Sequence, residues 1–140
     1  MSATQTLNAP AVHSTGRVQN VVLWILQVAA AAMFLMAGFA KLTSAPDMIA
    51  LFEAVGIGQW FRYVTGALEV SGAVLLLVPA LAGVGALLLG SVMAGAIFSH
   101  LFVIGGSVLM PLVLLTVVAI IAYGRRERTL HHLRSLWGER

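Results

Sequence analysis

"GALEVSGAVLLLVP", residues 66–79, is an apolar run broken once by a carboxylate, Glu69. A run of this kind is either the core of a soluble protein or part of a membrane span, and composition decides between them. The chain has 140 residues, of which 60% are hydrophobic and 9% charged, and its mean hydropathy is +0.98. That leaves too little polar side chain to cover a water-soluble ball of this size. The stretch therefore belongs to a membrane protein, and Glu69 is a charge placed inside it.

Working outward, four apolar segments of near-spanning length can be drawn: Val21–Leu42, Phe61–Val78, Leu81–Ile104 and Leu109–Tyr123. A helix crosses a bilayer in about 20 residues. The expected fold is all-α, an integral membrane four-helix bundle. Between the first two spans, "TSAPDMIALFEAVGIG" (43–58) places Met48, Leu51, Phe52 and Val55 on one helical face and ends in Gly56 and Gly58. This is the pattern of a short amphipathic helix at the interface. Ser44 stands three residues before Asp47, the spacing of a capping box, and Pro46 sits early, where its missing donor costs nothing. The organisation expected is a loose N-terminal tail over 1–20, a transmembrane domain over 21–124 and a basic tail over 125–140. Arg17, a short apolar run and the alanines at 29–32 imitate a cleaved signal peptide, but the apolar run continues through Met36, as an uncleaved helix would.

Basic residues orient the bundle. Arg17 precedes the first span and Arg125, Arg126, Arg128, Arg134 and Arg140 follow the last, so both termini are expected on the cytoplasmic side of the cell membrane. The net charge of +3 reflects this juxtamembrane tail, and no nucleic-acid partner is expected. Cysteine is absent, which excludes disulfides, thiolate metal sites, iron–sulfur ligation and a CxxC redox pair. A bis-histidine haem needs a second intramembrane histidine, yet His13, His131 and His132 lie in the tails. Glu69 and His100 alone lack the third ligand of a catalytic zinc site. No phosphate loop, nucleophile elbow or dinucleotide fingerprint occurs. No catalytic residue, metal site or intrinsic cofactor is expected.

What remains is a polar cluster in one leaflet. Glu69 lies eight residues after Phe61, about 12 Å below the outer boundary at a rise of about 1.5 Å per residue. His100 falls about 6 Å below the same boundary on the third span. Lys41 ends the first span, and Arg62 begins the second, seven residues before Glu69 and so on about the same face. A lone carboxylate in hydrocarbon costs several kcal/mol, so Glu69 is expected to face protein, within reach of Lys41, Arg62 or His100. Gly66 and Gly72 flank it as small helix-packing residues, and Gly95 does the same for His100. Two simpler roles stand beside this one: Lys41 and Arg62 as snorkelling anchors, and the polar groups as devices that fix helix register. Gln27, near the opposite face, is read as an interhelical hydrogen-bond former.

"AGFAKL" (37–42), "LFEAVGIGQW" (51–60), "GALEVSGAVLLLVP" (66–79) and "MAGAIFSHL" (93–101), in that order and spacing, resemble the DoxX-like membrane proteins over about residues 20–124. The resemblance implies a four-helix membrane fold with a Gly and a Lys ending the first helix, a Glu in the second and a His in the third, here Gly38, Lys41, Glu69 and His100. It also implies a link to oxidoreductase assemblies, because the family takes its name from a membrane subunit of a thiosulfate:quinone oxidoreductase. Three functions follow as expectations. The first is a quinone- or lipid-interacting accessory subunit, with His100 donating to a carbonyl, Glu69 exchanging a proton and the redox centres in a partner enzyme subunit. The second is a small transporter or proton pathway, which four helices form as a homo-oligomer or by a narrow route. The third is a non-catalytic assembly module.

Overall fold

The computed structural model describes residues 14–138 as helices joined by short turns. These are α1 (Ser14–Leu42), α2 (Pro46–Val55), α3 (Gln59–Leu77), α4 (Ala82–Ser99), a π-helical turn (His100–Ile104) and α5 (Leu109–Trp137). Four of them, with α4 and the π-helical turn counted together, are long and apolar enough to cross a membrane. α1 packs on α3, α3 on α4, α4 on α5, and α5 returns to α1, so the four spans close a ring. Both the start of α1 and the end of α5 lie at one end, the basic end. α2 and the π-helical turn lie at the other, which we call the far end.

The buried residues fall on the stripes that a 3.6-residue period dictates. On α1 they are Leu23, Gln27, Ala30, Ala31 and Phe34; on α3, Arg62, Gly66, Glu69, Gly72, Ala73 and Leu76; on α5, Val118, Ile121, Arg125 and Thr129. The opposite faces carry exposed Ile25, Met36, Phe39, Leu87, Leu112 and Ile120, the surface a bilayer would wet. Between spans, lipid is as apolar as leucine, so close packing and not water exclusion holds helices together. Glycines provide it. A Cβ on Gly38 would stand 2.8 Å from Val70 Cγ2 and 2.9 Å from the Gly66 carbonyl, and one on Gly85 2.8 Å from the Gly72 carbonyl.

Local chemistry explains the helix ends. α3 stops at Leu77 because Val78, which precedes Pro79, takes an extended conformation (φ −95°, ψ 111°). α2 stops at Gly56 (φ 77°), whose N–H reaches the Glu53 and Phe52 carbonyls. Its start differs from expectation. No side-chain cap is formed, and the flanking residue is Ala45. Ser44 instead turns into the left-handed region (φ 61°) and bonds Arg62 and Tyr63.

Two boundaries move. Residues 14–20 form the opening turns of α1, the rest of the expected N-terminal tail lying outside the described residues. α5 does not stop at Tyr123 but runs on to Trp137. Arg125 and Thr129, one turn apart, continue its buried face, and Thr129 Oγ1 accepts a hydrogen bond of 3.2 Å from the N–H of Gly83 at the start of α4.

Candidate functional site

At the far end, α1 and α3 run antiparallel with matching short motifs, Gly38-x-x-Lys41 and Gly66-x-x-Glu69. Each glycine lets the other helix approach: a Cβ on Gly66 would sit 3.0 Å from Lys41 Cβ and 3.1 Å from the Gly38 carbonyl. The close approach brings the two charges together. Lys41 Nζ donates to Glu69 Oε2 at 2.8 Å, with side-chain exposures of 13% and 2%. Neither residue snorkels. The second carboxylate oxygen, Oε1, has no protein partner among the described residues.

Arg62 is 2% exposed and does not reach Glu69. Its Nε donates to Gln59 Oε1 at 2.8 Å, its Nη2 to Ser44 Oγ at 3.0 Å, and its Nη1 to the Lys41 carbonyl. Its guanidinium also lies 4.3 Å from the Tyr63 ring centroid. The Lys41 carbonyl is one of the orphan acceptors at the C-terminus of α1, so Arg62 serves as a side-chain cap that fastens the α1–α2 turn to α3. This explains its burial and replaces both the anchor role and the direct contact with Glu69. Gln59 extends the tie, its Nε2 donating to the Ile49 carbonyl of α2 at 3.0 Å.

His100 stands where α4 loosens into the π-helical turn. Its Nδ1 lies 3.2 Å from the Gly105 carbonyl, and it makes no bond to Glu69. π-helical turns are uncommon and frequently accompany functional positions. Glycines at 105 and 106, with φ of 69° and 99°, close the turn.

Lys41, Glu69 and His100 share the wall of one cavity of about 440 Å³. The rest of the wall is mainly apolar: Phe34, Leu68, Leu88 and Met93 from the spans, and Pro111 and Leu114 from α5. The amphipathic face of α2, formed by Met48, Leu51, Phe52 and Val55, also lines it, and Phe52 packs edge-on against Phe61 with ring centroids 6.0 Å apart. Gly95 belongs here and not to helix packing, since a Cβ at that position would meet nothing within 4 Å. Gly72 does pack, against Leu89 at 2.6 Å. Such a space can take a mainly apolar molecule that carries a polar group.

A second polar centre lies at the basic end, and only Gln27 of it was legible in the sequence. Gln27 Nε2 donates to the Leu76 carbonyl, and its Oε1 accepts from Arg125 Nε at 2.6 Å. Arg125 Nη1 donates to Asn20 Oδ1 at 2.7 Å. Arg125 is 2% exposed, although it opens a basic run that reads as a solvated tail. The available signal was the seven-residue interval between Asn20 and Gln27, which puts two amides on one face of an apolar helix. Among the described residues no group of three His, Cys, Asp or Glu side chains could hold a metal ion.

In comparison with known proteins, the family model described as the DoxX-like family matches residues 25–121. No curated protein and no solved structure matches the chain.

Proposed function

The chain belongs to the DoxX-like family, and from that premise we propose that this multi-pass membrane protein is a ligand-binding accessory subunit. The far-end cavity holds the ligand, an amphiphile of the quinone or lipid class. Its apolar body lies among Leu68, Met93 and Leu114, and its polar head meets Lys41, Glu69 and His100. The observation that carries this is the composition of the cavity wall, mainly apolar side chains with Lys41, Glu69 and His100 as its ionisable groups. Binding sites for small molecules have this makeup, with few polar groups that fix orientation. Any redox centre belongs to a partner enzyme subunit, for which the bundle supplies the membrane-side ligand.

A transporter or proton pathway is supported less well. Between the Lys41–Glu69 pair and the Gln27–Arg125 pair the core consists of Phe34, Ala73, Leu76, Leu89 and Met93, all apolar. A relay needs polar steps there.

Native mass spectrometry of the detergent-purified protein tests the proposal directly. A retained quinone or lipid is expected on the wild-type chain, and Glu69→Gln and His100→Ala should each lose it while keeping the helical circular dichroism and the monodisperse elution of the parent. If no ligand is retained and none can be loaded, the assembly-module function takes its place.

A further inference from the structure

The hydrogen-bonding polarity of the cavity identifies the kind of head group it accepts. Six polar side chains line the chamber: Lys41, Thr65, Glu69, Ser91, Ser99 and His100. The three hydroxyls each commit their single proton to their own helix. Thr65 donates to the carbonyls of Phe61 (3.1 Å) and Arg62 (3.0 Å), Ser91 to Leu87 (3.0 Å) and Ser99 to Gly95 (3.0 Å). A hydroxyl has one hydrogen and two lone pairs, so each of these offers a ligand only an acceptor. His100 is constrained in the same sense. Its Nδ1 lies 3.2 Å from the Gly105 carbonyl, and because a carbonyl can only accept, this contact is a hydrogen bond in the tautomer that carries its hydrogen on Nδ1. In the neutral ring Nε2 is then a bare acceptor. Glu69 Oε1 is a further acceptor without a protein partner, on a side chain that is 2% exposed. Lys41 Nζ is the donor of the set, and one of its hydrogens already goes to Glu69.

The geometry points to a ligand whose head donates hydrogen bonds: a neutral hydroxylated amphiphile of the phenol or hydroquinone type, in preference to a carbonyl-headed molecule of the same shape. His100 Nε2 and Glu69 Oε1 accept from its hydroxyls. This rests on the cavity being a ligand site and reverses the role expected for His100, which accepts here and does not donate. Neutrality follows from the Lys41–Glu69 pair, which already balances its own charge, whereas a charged head placed beside it in apolar surroundings would be costly. A carbonyl head would find one donor group, Lys41, and would leave Glu69 Oε1, on a buried side chain, without a hydrogen to accept. Leaving buried polar groups unmatched is what lets a site reject an analogue that lacks a hydroxyl.

The test uses the full chain in detergent and a matched pair of probes, a long-chain alkylphenol and its methyl ether, with binding followed by isothermal calorimetry. The phenol is expected to bind at least about tenfold more tightly than the ether, the factor that corresponds to about 1.4 kcal/mol. His100→Phe should shrink that preference severalfold, and the ¹⁵N shifts of labelled histidine, assigned by the same variant, should report the Nδ1–H tautomer. Equal binding of the two probes, a preference untouched by His100→Phe, or an Nε2–H tautomer would each overturn the donor-head inference while leaving the cavity a ligand site. Binding of neither probe, nor of the matching alkylquinone, would remove the ligand site itself.

Discussion

Glu69 and Lys41 are held together by the glycines three residues before them as much as by their charges. Removing one member of a buried ion pair leaves the other charge uncompensated, at about 3–5 kcal/mol, whereas replacing both can be close to neutral. Lys41→Met should therefore lower the thermal unfolding midpoint in detergent sharply. Adding Glu69→Gln to it should recover most of the loss, and a double-mutant cycle on the two positions reads the coupling. Strictly additive effects would mean that the 2.8 Å contact contributes nothing. The basic-end centre behaves differently because its partners are neutral amides. Gln27→Leu strands Arg125 Nε and the Leu76 carbonyl in a buried setting, at about 1–3 kcal/mol for each orphaned group. Arg125 Nη2 already has no partner among the described residues, so this end has little spare hydrogen bonding. The same thermal assay should place Gln27→Leu well below wild type and Asn20→Ala between them.

Among the elements, α2 is fastened least. It closes one side of the cavity through Met48, Leu51, Phe52 and Val55, yet its polar tie to α3 is the Gln59–Ile49 bond, and positive-φ residues stand on both flanks at Ser44, Gly56 and Gly58. Segments with few buried contacts open with the smallest free energies. Hydrogen exchange over 46–55 should be faster than over the spans, and Phe52→Ala should speed it further while the exchange of α3 stays as it was. α1 and α3 are the opposite case. Gly38→Leu forces a side chain where a Cβ alone meets Val70 at 2.8 Å and the Gly66 carbonyl at 2.9 Å. Overpacking of this kind costs about 1–3 kcal/mol. Because the same change pushes Lys41 away from Glu69, ligand retention should fall with stability, and Gly38→Ala should give a smaller loss of both.

At the scale of the whole molecule, the bundle has two unlike ends. One carries Arg17, Arg125, Arg126, Arg128 and Arg134 against a single described acidic residue, Glu127, which pairs with Arg126 at 3.3 Å. The other carries the cavity, its Lys41–Glu69 pair and α2. Excess arginine beside the spans predicts the cytoplasmic side for the first end. Since the chain has no native cysteine, Ile57→Cys, at an exposed position without positive φ, and Gly138→Cys can each be labelled in intact cells without background. An impermeant thiol reagent should modify the first and not the second. The reverse pattern would invert the bundle and turn the cavity toward the cytoplasm.

The class of the molecule was legible in single residues and their near neighbours. Hydropathy alone marks four spans, the 3.6-residue spacing marks the cavity-facing stripe of α2, and Gly56 and Pro79 mark where helices stop, because each of these depends on interactions within a few positions of chain. That Lys41 and Glu69 stand at a height on neighbouring helices where they can meet was legible for the same reason, since rise per residue is a local constant. Partner choice was not. Whether Arg62 meets a carboxylate or caps the carbonyl of Lys41, whether Arg125 is a solvated tail residue or binds Gln27 across 98 positions, and which group His100 Nδ1 faces all depend on how far each helix is rotated about its axis and how closely the glycines let the axes approach. Those quantities are set by every contact in the bundle at once, so only the tertiary structure decided them, and with them the cavity.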